Sequence, residues 1–83
     1  MEIRYAYRAI RDLEEFPRNV QKRIAAKMRF YAEQKEPLKF AKRLVNPDEG
    51  EFRFRVGDHR VFFDVVRNTI VVLKISRRDQ AYE

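Results

Sequence analysis

Eighty-three residues with 45% hydrophobic and 39% charged side chains make one small folded domain, spanning 1–83, with no room for a second core. The absence of cysteine excludes a disulfide framework and a thiolate metal site, so packing alone must hold the fold. Nineteen Lys and Arg against 13 Asp and Glu leave a net charge of +6, which selects anionic partners: nucleic acid, an acidic protein, or both.

Glu2 to Tyr7 alternates, with Ile3, Tyr5 and Tyr7 on one side, and reads as a first strand. From Arg8 the period becomes helical: Ala9, Ile10, Leu13 and Phe16 recur on one face, and Arg11, Asp12, Glu14 and Glu15 fill the other. Pro17 interrupts and suits the opening turn of a second helix. That helix carries Val20, Ile24, Met28 and Tyr31 as an apolar stripe, with Ala25 and Ala32 beside it and Lys22, Arg23, Lys27, Arg29 and Lys35 around the rest. Pro37 ends it near Glu36, because the residue before a proline is pushed out of helical geometry. The two helices are expected to form an antiparallel hairpin on one face of a sheet.

Leu38 to Gly50 reads as a basic connector followed by the turn formers Asn46, Pro47, Asp48, Glu49 and Gly50. Three strands follow, at about 51–56, 60–66 and 69–75, the last two joined tightly through Arg67 and Asn68. Ile70 to Ile75 is almost wholly apolar, so that strand is expected inside the sheet and covered on both faces. Residues 76–83 form a short polar tail. The fold class is α+β: an N-terminal strand, a two-helix hairpin, then a three-stranded antiparallel meander, with the helices on one face of a single sheet. No apolar run approaches the ~20 residues of a membrane span, and the charged N-terminus does not resemble a signal peptide. A cytoplasmic protein with no membrane partner is the expectation.

The hairpin from Glu51 to Phe63 carries the most chemistry. Phe52, Phe54 and Val56 fall on one side of its first strand and Arg53 and Arg55 on the other, with Arg60 opening the second strand beyond the turn at Gly57, Asp58 and His59. Residues 51–83 hold six arginines and one lysine. A planar guanidinium fork matches phosphate oxygens in a way that a lysine point charge does not. Preorganised arginines can stabilise the charge that builds on a phosphate during transfer, and they can equally serve as a static grip.

Three segments, LEEFPRNVQKRI, FRFRVGDHRVFFDV and VVLKISRRDQAY, together with the order of elements, resemble the RelE/ParE superfamily of toxin–antitoxin toxins over essentially the whole chain. The resemblance to the RelE-like branch implies a metal-independent, ribosome-dependent endoribonuclease that cuts mRNA in the A site and inhibits translation, without a cofactor. ParE-like members share the fold and poison DNA gyrase instead, and an inactive member would survive as an antitoxin- or RNA-binding module. The implied partners are a cognate antitoxin that wraps the toxin, in a hetero-oligomeric complex, and the ribosome with its mRNA. Carried over residue by residue, the basic positions of the second strand fall on Arg53 and Arg55, and the arginine opening the third strand on Arg60. The C-terminal basic residue falls on Arg77 or Arg78, and the terminal tyrosine on Tyr82. The resemblance implies catalytic roles for Arg55, Arg60, Arg78 and Tyr82 and substrate binding by Arg53 and Arg77. Two departures stand out: RelE-like enzymes place lysines at the positions of Arg53 and Arg55, one of them a general base, and several relatives have histidine in place of Arg77.

Proton transfer is the weak point of that set. Arginine is effectively never deprotonated, so Arg55 is a poor base. Tyr82 can act as one only with strong help from neighbouring arginines, and its other roles are stacking on a base or packing on the sheet edge. His59, at a turn between Asp58 and Arg60, is of a residue type able to act as acid or base, yet the resemblance implies a packing role, since the corresponding family position is commonly aromatic. Asp64 and Asp79 can orient the arginines or form ordinary surface ion pairs. One histidine and no cysteine leave no metal constellation.

Overall fold

Ile3 and Tyr5 turn inward from β1 (Glu2–Tyr5), and the chain enters α1 (Tyr7–Glu14) directly after it in the computed structural model, which describes residues 1–77. Tyr7, expected in the strand, instead opens the helix and is 74% exposed, with the Arg11 guanidinium one turn later lying 5.8 Å from its ring centre. In α1 Ala9 is fully buried and Leu13 packs against the core, while Ile10 lies half outside. Phe16 and Pro17 make the corner. Pro17 is the residue before the first turn of α2 (Arg18–Glu33), and its carbonyl accepts the N–H groups of Val20 and Gln21.

The apolar stripe of α2 packs as its spacing requires: Ile24, Met28, Tyr31 and Ala32 are buried and Val20 joins them at the margin. The helix stops at Glu33, three residues before the expected end. Gln34 turns extended there, and its side-chain amide donates to the Phe30 carbonyl at 2.9 Å, satisfying one of the last-turn acceptors. Pro37 starts a short 3-10 turn that runs to Phe40.

One five-stranded sheet carries the helices on one face, in the order β1-β5-β4-β3-β2. The later strands are β2 (Lys42–Arg43), β3 (Phe52–Val56), β4 (His59–Val66) and β5 (Thr69–Arg77). The meander is antiparallel throughout, and β5 closes the sheet by pairing parallel to β1. Within the expected connector, β2 is the addition: Lys42 pairs with Arg53 and Arg43 with Phe52. Two residues show no periodicity, so only the pairing reveals the strand.

Both turns of the meander use left-handed backbone. Gly57 has φ 60 in a two-residue link with Asp58, which leaves His59 already paired with Val56. Arg67 adopts φ 57 in the link to β5, a conformation unfavourable for a side chain with Cβ.

The core is an aromatic stack. Phe54 lies between Tyr31 of α2 at 4.2 Å and Phe63 of β4 at 4.4 Å, with Phe52 a further 5.5 Å from Phe63. The helix-free face of β5 is less covered than expected: Ile70, Val72 and Ile75 are buried, while Val71 and Leu73 stay partly exposed. The buried positions are spaced by two and then by three. Phe62 pairs with Lys74 and Phe63 with Val72, so Leu73 is an extra residue opposite no partner. Such a bulge shifts the parity of everything after it. Without it Lys74 would share the core face with Ile70 and Val72.

Candidate functional site

Alternation along β3 and β4 sends Phe52, Phe54, Val56, Val61 and Phe63 under the helices and leaves Arg53, Arg55 and Arg60 on the opposite, helix-free face. Arg55 and Arg60 are directly paired across the strands. Like charges in that position repel one another. Burial, then the charges of Arg60 and Arg55, hold the Arg53 guanidinium below its ordinary pKa. Beneath this group the backing is firm: the Tyr31 hydroxyl donates to the Arg55 carbonyl at 3.1 Å from the helix side.

A second row crosses the same face in register, Lys42, Arg53, Phe62 and Lys74. Lys74 Nζ lies 5.0 Å from the Phe62 ring centre and meets both carboxylate oxygens of Glu49, at 3.2 and 3.3 Å. Two residues along the strands from Arg53 and Phe62 the face changes sign. Asp64 accepts the Glu51 N–H at 2.9 Å, and Glu51 in turn accepts the Val65 N–H at 3.1 Å. The loop bearing these acids sits tightly on the sheet at Gly50, where a Cβ would lie 3.1 Å from Leu73 Cδ1 and 3.3 Å from the Phe63 carbonyl at φ 122. Three arginines on one face, with a lysine at the margin and carboxylates along one side, have donor chemistry that suits a phosphate. Among the described residues there is no cluster of His, Asp and Glu able to hold a metal ion, and no helix is long and apolar enough to cross a membrane.

Residues 3–82 match the family model described as the ParE toxin of the type II toxin–antitoxin system parDE. The chain belongs to this family, within the RelE/ParE superfamily of toxins. Its fold is similar to the toxin–antitoxin complex RelBE2 from Mycobacterium tuberculosis, with 26% identity over 93% of this chain and 96% of that one and a TM-score of 0.75. It is also similar to the RelB–RelE antitoxin–toxin complex from Methanococcus jannaschii, at 21% identity, coverage of 95% and 94%, and a TM-score of 0.72. The RelE–RelB complex from Pyrococcus horikoshii OT3 matches at 23% identity over 93% of both chains with a TM-score of 0.70. No curated protein sequence matches the chain.

Of the residues expected in the toxin's site, Arg53, Arg55 and Arg60 share one face, and Arg77 does not. Arg77 pairs with His59, on the side facing α1 and α2, and lines a cleft of about 810 Å³ together with Tyr7, Arg11, Phe16, Arg23 and His59. The parity shift at Leu73 is the cause. Arg78, Asp79 and Tyr82 lie outside the described residues. His59 is 8% exposed, and its ring meets Phe16 edge-on at 4.7 Å, which agrees with a packing role. Asp64 holds backbone in the acidic end rather than an arginine. Lys74 and Lys42 were missed by sequence reasoning: Lys42 lies in a connector with no visible period. A signal for Lys74 was present, since strict alternation from Ile70 and Val72 would bury it, and a buried unpaired lysine demands a break in register.

Proposed function

We propose that this RelE/ParE-family toxin acts as a metal-independent endoribonuclease that cuts mRNA in the ribosomal A site and so inhibits translation. The observation carrying the reading is the Arg53, Arg55 and Arg60 cluster on the helix-free face, where neighbouring guanidiniums across two paired strands suit the charge of a phosphate. The ribose 2′-hydroxyl attacks the adjacent phosphorus and gives its proton to a base. The bond to the 5′-oxygen breaks, and that oxygen takes up a proton. The products are a 2′,3′-cyclic phosphate and a 5′-hydroxyl end. Arg55 and Arg60 hold the non-bridging oxygens as their charge grows, while Arg53, shared with the second row, grips the backbone.

None of the three arginines accepts the proton. Arg78, proposed as the C-terminal basic residue because Arg77 faces the helices, completes the charge clamp, and Tyr82 is the candidate for proton transfer or for stacking on the base. The proposed partners are a cognate antitoxin in a hetero-oligomeric complex, in keeping with the RelB-bound structures that the fold resembles, and the ribosome. Purified toxin added to an in vitro translation reaction should leave primer-extension stops within codons of the message. Intact messages in both translating and stalled ribosomes would sink the reading.

A second reading has its own support. The matching family model is that of the ParE toxin, and the positions that carry lysine in RelE-like enzymes carry arginine here. On that reading the same face binds DNA gyrase without chemistry. A supercoiling assay separates the two: loss of gyrase activity at toxin excess with messages uncut selects it.

A further inference from the structure

The bulge at Leu73 places a lysine where alternation would have buried one, and the surroundings of that lysine are built for exchange. Lys74 is the last cation of the row that runs from Lys42 through Arg53 and Phe62. Its ammonium nitrogen lies 5.0 Å from the Phe62 ring centre, and its side chain remains 26% exposed against 41% for its partner Glu49. Glu49 belongs to the loop that carries Glu51 and sits on the sheet through Gly50, so the carboxylate is delivered from outside the arginine cluster. An ion pair this open contributes little to stability, and an incoming anion can replace the carboxylate without disturbing the core.

From these observations we propose that Lys74 is a further phosphate-contacting residue of the helix-free face, and that Glu49 is the carboxylate which a phosphate of single-stranded RNA displaces from it. The inference rests on the reading of that face as an RNA-binding surface. Lys74 stands two strand spacings, roughly 10 Å, from Arg53, so it engages a different phosphate from the one held by the arginines. Glu51 and Asp64 flank the row, two residues along from Arg53 and Phe62, and with Glu49 they repel a polyanion from that side. The RNA backbone therefore runs from Lys74 across Arg53 toward the β2 edge at Lys42, and not past the acidic loop.

A labelled single-stranded RNA oligomer with 2′-O-methyl riboses, which cannot be cut by 2′-hydroxyl attack, tests this by titration at several salt concentrations. Lys74→Ala should weaken binding and reduce the slope of log K against log salt by about 0.7, the value of one phosphate contact on a single strand. Lys74→Arg should keep the slope. Glu49→Gln, nearly isosteric, should tighten binding by up to about fivefold, the ceiling for a surface ion pair. If Lys74→Ala and Glu49→Gln both lower the melting temperature and neither changes binding, the pair is only a staple for the loop, and the proposal fails. Unchanged binding in Lys74→Ala beside a loss in Arg55→Ala overturns this assignment alone. Unchanged binding in both variants overturns the reading of the face itself.

Discussion

The two faces of the β3–β4 hairpin divide one stretch of chain into opposite tasks. Toward the helices Phe54 is sandwiched between two aromatic rings, and every buried neighbour is apolar or aromatic. One residue away along the strand, Arg53 and Arg55 lie with Arg60 on the helix-free face, Arg55 exposed and the other two partly buried. Marginal stability makes the aromatic packing on one side of these strands the support for a charged group on the other. Stability and anion binding should therefore separate by residue parity.

The sharpest attempt to break this separation is Phe54→Ala. Removing the middle ring of the stack should cost roughly 3–5 kcal/mol, read by chemical denaturation, and leave little folded protein. On the other face, Arg55→Ala combined with Arg60→Ala should reduce message cleavage by about 100-fold or more on the proposed mechanism. The melting temperature of the same variant should hold or rise, because the cross-strand repulsion is gone. A marked fall in stability would show that the two faces are not independent.

Tyr31→Phe probes the point where they touch. Loss of the hydroxyl donor to the Arg55 carbonyl should cost about 1 kcal/mol in thermal or chemical unfolding. Burial raises the Tyr31 pKa above the ordinary 10.0, so the folded state keeps its proton to higher pH than the unfolded state does. Its contribution is fully present below pH 10.0 and is lost as pH rises from there through the folded-state value. Wild-type stability should fall more steeply than that of Tyr31→Phe above pH 10.0, with Tyr5, raised by burial in the same direction, supplying the residual slope. The smallest effect is expected at Arg67→Gly, in the link to β5. Glycine at φ 57 removes the left-handed penalty but loosens the unfolded chain, for a net gain of up to about 1 kcal/mol in denaturation.

Most of this architecture was legible before any coordinates. The stripe Val20, Ile24, Met28 and Tyr31 and the alternation of β3 are strong periodic signals, and each side chain lies where its period sends it. The failures are local and have physical causes. The two residues of β2 are too few to show a period. The second helix ends early because the Gln34 side chain caps it before Pro37 can act. In β5 the run from Ile70 to Leu73 is apolar throughout, which hides where parity breaks; only Lys74, which strict alternation would bury, signalled that a break was needed, and the side occupied by Arg77 depended on it. The arginine trio followed from alternation alone, whereas the Glu49–Lys74 pair needed a tertiary contact between a loop and a distant strand.

The unmatched Leu73 works like a frameshift written in side-chain direction. Any substitution in β5 changes one position, but smoothing the bulge at unchanged length would rewrite both surfaces at once: Lys74 would turn under the helices, Ile75 would face solvent, and Arg77 would join the arginines. A strand one residue shorter, without the bulge, presents the basic motif to the same sides, whereas a strand of equal length without the bulge presents it to the opposite sides. Comparing their C-terminal arginines requires counting residues from the bulge, because matching letters alone will pair side chains that point in opposite directions.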